Sequence, residues 1–170
     1  MNNNTSIIIL AAGLGTRMKS KRPKVLFELC GEPMIIHILK QAYAITNDVS
    51  VVLRYEKELI SKKIKEFFPQ TKIFEQDLTN FPGTAGAIKG VSLSGEKVLV
   101  TCGDMPLVRS TDLMRLANAE ADVVMSSFEA ANPFGYGRVI IKNGKVEAIV
   151  EQKDASEAQL AIKSVNAGCY

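Results

Sequence analysis

The most constraining stretch of the chain is residues 6–12, a nearly continuous apolar run with three consecutive isoleucines that stops at Gly13-Leu14-Gly15. Short β-branched runs closed by glycine belong to strands covered on both faces, so this one reads as a buried central strand. A chain with such a strand must supply apolar elements to cover it. With 170 residues and 46% hydrophobic content it can build one compact domain with a real core, and one domain is the expectation.

The covering elements follow in order. Pro33 opens a segment in which Ile35, Ile38, Leu39 and Ala42 recur at helical spacing, and proline is tolerated in a first helical turn. Residues 49–53 form a second β-branched run, and residues 56–68 carry Leu59, Ile60, Ile64 and Phe67 as an apolar helical stripe. Residues 97–101 and 122–128 repeat the strand signature, with a short helix predicted over 110–119 between them. This alternation predicts an α/β, Rossmann-like fold with a mostly parallel sheet flanked by helices. The last third differs, because residues 137–141 and 145–150 are strand-like runs joined through Asn143-Gly144, the preferred two-residue hairpin turn. A helix is predicted over 154–163, and residues 164–170 enter a further strand at which the sequence ends, the pattern expected of a C-terminally incomplete domain.

Charge and cysteines exclude several functions. A net charge of +3, from 21 basic and 18 acidic residues spread along the chain, includes no polybasic tract for nucleic acid, while a small anionic substrate is compatible. Cys30, Cys102 and Cys169 are odd in number and far apart, so they read as reduced, buried thiols and not as a disulfide framework or metal pair. The N-terminus has no basic leader and no apolar stretch of bilayer length, which makes the cytoplasm the expected compartment.

Chemistry is expected in the loop after the first strand, where open α/β sheets bind ligands. Leu10-Ala11-Ala12-Gly13-Leu14-Gly15-Thr16-Arg17-Met18 lacks the Gly-Lys-Ser/Thr ending of a Walker loop, and Met18 stands where a dinucleotide fingerprint needs its third glycine. The segment offers small residues followed by Arg17 and, beyond Pro23, Lys24, two cations able to neutralise separate phosphates. By itself it could equally be a tight turn carrying solvated basic residues. His37, among Ile35, Ile36 and Ile38, reads as structural.

That loop together with Arg22-Pro23-Lys24-Val25-Leu26 resembles the signature of sugar-phosphate nucleotidyltransferases. The resemblance continues through Pro82-Gly83-Thr84-Ala85, Cys102-Gly103-Asp104-Met105-Pro106-Leu107, Phe134-Gly135-Tyr136-Gly137-Arg138, and Ile149-Val150-Glu151-Gln152-Lys153-Asp154 to Asn166-Ala167-Gly168. The last blocks are most similar to the bacterial family of bifunctional N-acetylglucosamine-1-phosphate uridyltransferases that also acetylate glucosamine 1-phosphate. The resemblance implies a nucleotide-diphospho-sugar transferase fold and uridylyl transfer from UTP to N-acetylglucosamine 1-phosphate, for cell-wall and lipopolysaccharide precursors. Within it, Leu10, Ala11, Ala12 and Gly13 would hold the uridine, with Gln76, Gly83 and Thr84 around the uracil. Arg17 and Lys24 would act on the triphosphate as the catalytic pair. Cys102 and Gly103 would line the substrate beside Asp104, the implied Mg2+ ligand, and Gly137, Glu151 and Asn166 would hold the sugar phosphate.

Read without the resemblance, Gly83 and Gly137 are equally turn glycines, Asp104 a loop cap and Glu151 a surface carboxylate. Cys102 stands where the family commonly has an aromatic residue, and Gly86 replaces a larger, often polar, residue. The resemblance further implies a second metal ligand, an asparagine, beyond Tyr170, together with a left-handed β-helix domain carrying the acetyltransferase site and the contacts of a homotrimer. Two other functions stay open: transfer of another nucleotide to another acceptor, or a non-catalytic nucleotide-binding module.

Overall fold

In the computed structural model, which describes residues 4–13, 15 and 18–170, the isoleucine run becomes β1 (Thr5–Leu10). The chain continues through a small hairpin of β2 (Glu28–Leu29) and β3 (Glu32–Pro33) into α1 (Met34–Tyr43), which begins directly after Pro33. Next come β4 (Val49–Leu53), α2 (Lys57–Phe67), β5 (Lys72–Glu75), α3 (Gly83–Ala87), β6 (Lys97–Cys102) and α4 (Ser110–Ala117). The strands form a parallel sheet in the order β5-β4-β1-β6. As the sequence pattern requires, β1 is central, and Ile7, Ile8 and Ile9 are all at most 1% exposed. Helix α1 buries Ile35, Ile36, Ile38, Leu39 and Ala42. Each fully buried isoleucine contributes about 2–3 kcal/mol of apolar transfer.

The opposite, N-terminal edge of this sheet is tied by one carboxylate. Asp48 accepts from the Ser6 hydroxyl, from the Ser94 hydroxyl and N–H, and from the Lys72 ammonium at 2.7 Å. Ser6 Oγ also accepts from Gly95 N at 2.9 Å, so β1, the strand before α2 and the segment leading to β6 share one polar knot.

The described residues up to Ala119 form one compact unit and Glu120–Tyr170 a second. The second contains β7 (Ser127–Glu129), β8 (Arg138–Lys142), β9 (Lys145–Val150), α5 (Glu157–Leu160) and β10 (Ser164–Asn166), paired antiparallel in the order β7-β10-β8-β9. The predicted hairpin is β8–β9, with Asn143 and Gly144 both at positive φ, 53° and 73°, as a type I′ turn demands. The expected α/β class, with a parallel central sheet and a hairpin in the last third, is thus the observed one.

Three local expectations need correction. Only the end of the strand predicted over 122–128 forms: Ser126 bonds to Ala167 and Cys169, and Val123 lies 81% exposed, so no ladder extends back towards Asp122. The helix predicted over 154–163 shrinks to α5, because Ser156 and Gln159 make a reciprocal capping box that sets its first turn. Cys30 is exposed, not buried, since it occupies the β2–β3 turn with φ of 52°; Cys102 is half-buried and Cys169 buried, and none of the three is in a disulfide among the described residues. His37 does take the structural part read for it, donating from Nε2 to the Leu29 carbonyl at 2.8 Å.

Candidate active site

The strand order itself marks a site. From β1 the chain moves outward to β4 and β5, then returns to β6 on the other flank of β1, so β1 and β6 flank the point where the winding reverses. In such sheets ligands bind beyond the carboxyl ends of the strands at that reversal. The two strands finish in register, Leu10 beside Cys102, and the segments that follow are those carrying the Gly-rich loop and Asp104.

Main-chain bonds lock the start of both segments. Ala11 N donates to the Val52 carbonyl at 2.8 Å, and Gly103 N donates to the Leu10 carbonyl at 2.9 Å. No bond among the described residues engages the N–H of Ala12 or Gly13, and Gly13 is exposed. Gly103 is buried, and a β-carbon on it would approach Ala11 Cβ to 3.1 Å and Val25 Cγ1 to 3.2 Å. Glycine there lets the segment after β6 close against the segment after β1.

Across this junction Lys24 meets Asp104. The ammonium donates to the Asp104 carboxylate, and the two side chains are only 36% and 29% exposed. A 3-10 turn over Lys24–Leu26 carries the lysine and buries Val25 and Leu26, which fixes where its side chain starts. Gly15, at φ of 62°, packs so close to Lys24 that a β-carbon there would come within 2.9 Å of Lys24 Cβ. The fold therefore assembles a cation, an anion and backbone N–H groups that no described residue engages at one strand reversal. Arg17, the other cation expected here, lies outside the described residues, as do Leu14 and Thr16.

Gln76, Gly83 and Thr84 come together at the end of β5. Gln76 is 7% exposed, its N–H donates to the Leu53 carbonyl, and its side-chain amide donates to the Gly83 carbonyl at 2.9 Å. Gly83 turns the chain at φ of 79° into α3, and Thr84 is exposed. Ala87, at the other end of α3, packs with Ile8 and Val52, against which Leu10 also lies. The three residues thus sit on the sheet face that Leu10 borders.

In the second unit Gly137, Glu151 and Asn166 also form a cluster. A β-carbon on Gly137 would reach Glu151 Oε1 at 3.3 Å and Ile149 Cγ2 at 3.0 Å, and Asn166 N donates to the Gly137 carbonyl at 2.9 Å. The Asn166 side chain is oriented by Tyr170 Oη at 2.6 Å and by Gly168 N at 2.9 Å. Two residues with no role assigned from sequence hold this cluster. Arg138, 2% exposed, donates to the Tyr136 carbonyl, to Gln152 Oε1 at 2.8 Å and to the Leu160 carbonyl at 3.5 Å, while its Nε is left unpartnered. Gln152 Oε1 also accepts from Gly135 N at 3.0 Å. Both stand inside the Gly-Tyr-Gly-Arg and Val-Glu-Gln-Lys-Asp blocks, so their place in a motif was the available signal.

A family model described as the MobA-like NTP transferase domain matches residues 7–162. The chain belongs to this family. It is 98% identical, over all 170 of its residues, to "Bifunctional protein GlmU" of Campylobacter concisus (strain 13826), and 57% identical over 166 residues to the protein of the same name from Campylobacter jejuni subsp. jejuni serotype O:6. The chain spans 39% of the length of each of these relatives. Among solved structures it is similar to HddC from Yersinia pseudotuberculosis, with TM-score 0.71 and 23% identity over 96% of this chain and 74% of that one. That likeness bears on the fold alone. No helix among the described residues is long and apolar enough to cross a membrane.

Proposed function

We propose that the chain transfers the uridylyl group of UTP to N-acetylglucosamine 1-phosphate, giving UDP-N-acetylglucosamine and pyrophosphate. The observation that carries this reading is the meeting of Lys24 with Asp104 at the β1–β6 reversal, beside the backbone N–H groups of Ala12 and Gly13, which no described residue engages. The choice of sugar and base rests on the resemblance of the blocks at residues 135–138 and 150–154 to uridyltransferases, and 98% identity to a protein named GlmU agrees with it. A phosphate oxygen of the sugar phosphate attacks the α-phosphorus as pyrophosphate leaves in line, so no protein nucleophile is needed. The work of the protein is positioning and charge neutralisation. Leu10, Ala11, Ala12 and Gly13 hold the nucleoside through main-chain groups, Gln76, Gly83 and Thr84 border the base, and Cys102 and Gly103 line the floor. Lys24, with Arg17, faces the phosphates, exchanging its contact with Asp104 for a phosphate oxygen. In the second unit, Gly137, Glu151 and Asn166 hold the sugar.

Among the described residues no three metal-ligating side chains gather, yet Mg2+ is ordinarily held by one or two carboxylates with substrate phosphates completing its shell. The single, half-buried carboxylate of Asp104 fits that pattern and would hold the ion. Mg2+ there would supply positive charge to the phosphates. The protein works in the cytoplasm, and a longer chain built like its relatives would also acetylate glucosamine 1-phosphate and trimerise through segments outside these residues.

A pyrophosphate-release assay with UTP, CTP, ATP and GTP against a panel of sugar 1-phosphates tests the reading. Turnover is expected with UTP and N-acetylglucosamine 1-phosphate, and Asp104→Ala should lower it about 100-fold or more, the usual effect of losing a group that stabilises transferring charge. Preference for another pair assigns a different transfer reaction; nucleotide binding without turnover in any pair assigns a binding module.

A further inference from the structure

Gly86 occupies a place where no side chain fits. A β-carbon built there would lie 2.1 Å from the Phe81 carbonyl oxygen and 2.5 Å from the carbonyl carbon, both backbone atoms that no rotamer change can move aside. Its φ is not in the left-handed region, so glycine is present for space and not for conformation. The same Phe81 carbonyl accepts from the Gln76 amide nitrogen at 3.4 Å, and the Gly83 carbonyl accepts from that nitrogen at 2.9 Å. Turning the amide over would set its oxygen against two carbonyl oxygens, so its orientation is fixed. With the amide nitrogen directed at these two carbonyls, the group left on the Gln76 side chain for another partner is its oxygen, an acceptor.

The carbonyl of Phe81 is itself held. Phe81 N donates to the Asp77 carbonyl at 2.9 Å, and the Asp77 carboxylate gathers Thr79 N, Asn80 N and Asn80 Nδ2 at 2.7–3.1 Å. The Lys89 ammonium sits 3.6 Å from the centroid of the Phe81 ring, an attractive cation–π geometry. The segment between Gln76 and Gly83 is therefore an ordered piece of structure that needs a bare Cα at position 86.

We propose that Gly86 is a positioning residue for base selection: by admitting the Phe81 carbonyl it fixes the Gln76 amide nitrogen against the protein and leaves the amide oxygen as the acceptor for a base. An acceptor there suits a base with N–H at N3, as in uracil, and opposes one with a lone pair at N3, as in cytosine. This rests on the uridylyl-transfer reading, in which Gln76 borders the base. Gly86 touches no substrate and acts through Phe81 and Gln76.

Calorimetric titration with UTP and with CTP, in Mg2+, of the wild-type chain, Gly86→Ala and Lys89→Met tests it, with a thermal melt of each. The wild type should prefer UTP. Gly86→Ala should weaken UTP about tenfold, the size of one lost hydrogen bond, and leave CTP within about twofold. Lys89→Met, which removes only the cation over the ring, should narrow the UTP/CTP ratio about two- to threefold with an unchanged melt. If the wild type binds neither nucleotide, the uridylyl reading falls and the inference falls with it. If the wild type prefers UTP and both variants keep its ratio, the reading stands and the inference is overturned. Should Gly86→Ala fail to melt cooperatively, Lys89→Met decides alone, an unchanged ratio overturning the proposal and a narrowed one supporting it.

Discussion

The two compact units shield their sheets by different chemistry. In the first, strand faces are closed by aliphatic side chains: Ile7, Ile9, Val51, Val52 and Leu53 are all fully buried. In the second, the largest buried side chain is a cation, Arg138, while Phe134 and Ile141 are 75% and 58% exposed. A shorter unit buries proportionally less apolar surface and must gain order elsewhere. Here it gains it from directional bonds, since Arg138 and Gln152 together fix Tyr136, Gly135 and Leu160. Apolar burial makes a rigid platform whose loops are free to carry chemistry, whereas a polar clamp fixes the loops themselves. The difference matches where the candidate residues lie: beyond strand ends in the first unit, and on or beside the strands joined by the clamp in the second.

The sharpest way to break this contrast is to remove one apolar side chain from the first unit. Ile9→Ala should cost about 4 kcal/mol, the usual range for a large-to-small change at a fully buried site, read by urea unfolding with hydrogen exchange resolved by peptide. Loss of protection should be largest in β1, β4 and β6. A cost below about 1 kcal/mol would mean that the parallel sheet is not held by its core.

Next in size is the cation. Arg138→Met removes three donated bonds and strands the carbonyls of Tyr136 and Leu160, an expected cost of about 3 kcal/mol. Exchange should accelerate at Gly135, Asn166 and neighbours in the second unit while β1 stays protected. Arg138→Lys keeps the charge but not the planar fork, and should recover less than half of the loss. A variant as stable as the parent would show that the clamp orders nothing.

Asp48 then tests whether the first unit depends on polar ties at all. Burial by itself would raise its carboxyl, but the Lys72 ammonium, the Ser6 and Ser94 hydroxyls and the Ser94 N–H together hold it well below the usual carboxylate range. Since the folded value lies below the unfolded 3.8, the stabilisation is complete above about pH 4 and is lost as pH falls further. Asp48→Asn should cost about 2 kcal/mol at pH 7. It should also flatten the acid limb of the stability curve below pH 4, and an unchanged acid limb would assign that limb to other carboxylates.

Much of this organisation was legible in the sequence wherever one residue type had one physical meaning. The triple isoleucine, the stripe of α1 and the Asn143-Gly144 turn each admit a single reading and are found as read. What failed or was silent depended on partners far along the chain. Lys24 and Asp104 are 80 residues apart, and only the strand order brings them together. Val123 and Val124 have strand propensity without a neighbouring strand to pair with. Arg138 stands in a recognisable motif, yet nothing in its spacing says that it is buried, because the carbonyls that receive it come from a turn and a short helix that sequence places poorly. Gly86 read as a departure from the family, and its reason, the Phe81 carbonyl against it, is visible only in three dimensions.

The smallest effect separates two uses of glycine, one in each unit. Gly144 has φ of 73° and nothing within 4 Å of a built β-carbon, so alanine there meets no atom and costs only the left-handed backbone, about 1 kcal/mol. Gly144→Asn, whose side chain tolerates that region, should recover about half. Gly86 is the opposite case: its backbone is ordinary and its space is taken, so asparagine should rescue nothing over alanine there. Melting the four single variants side by side checks the pairing, with exchange in β8 and β9 reporting the Gly144 pair. Should asparagine and alanine prove equal at 144, the hairpin would owe its register to the β8–β9 ladder instead of its turn, and the second unit would be less dependent on local directional geometry than its buried arginine implies.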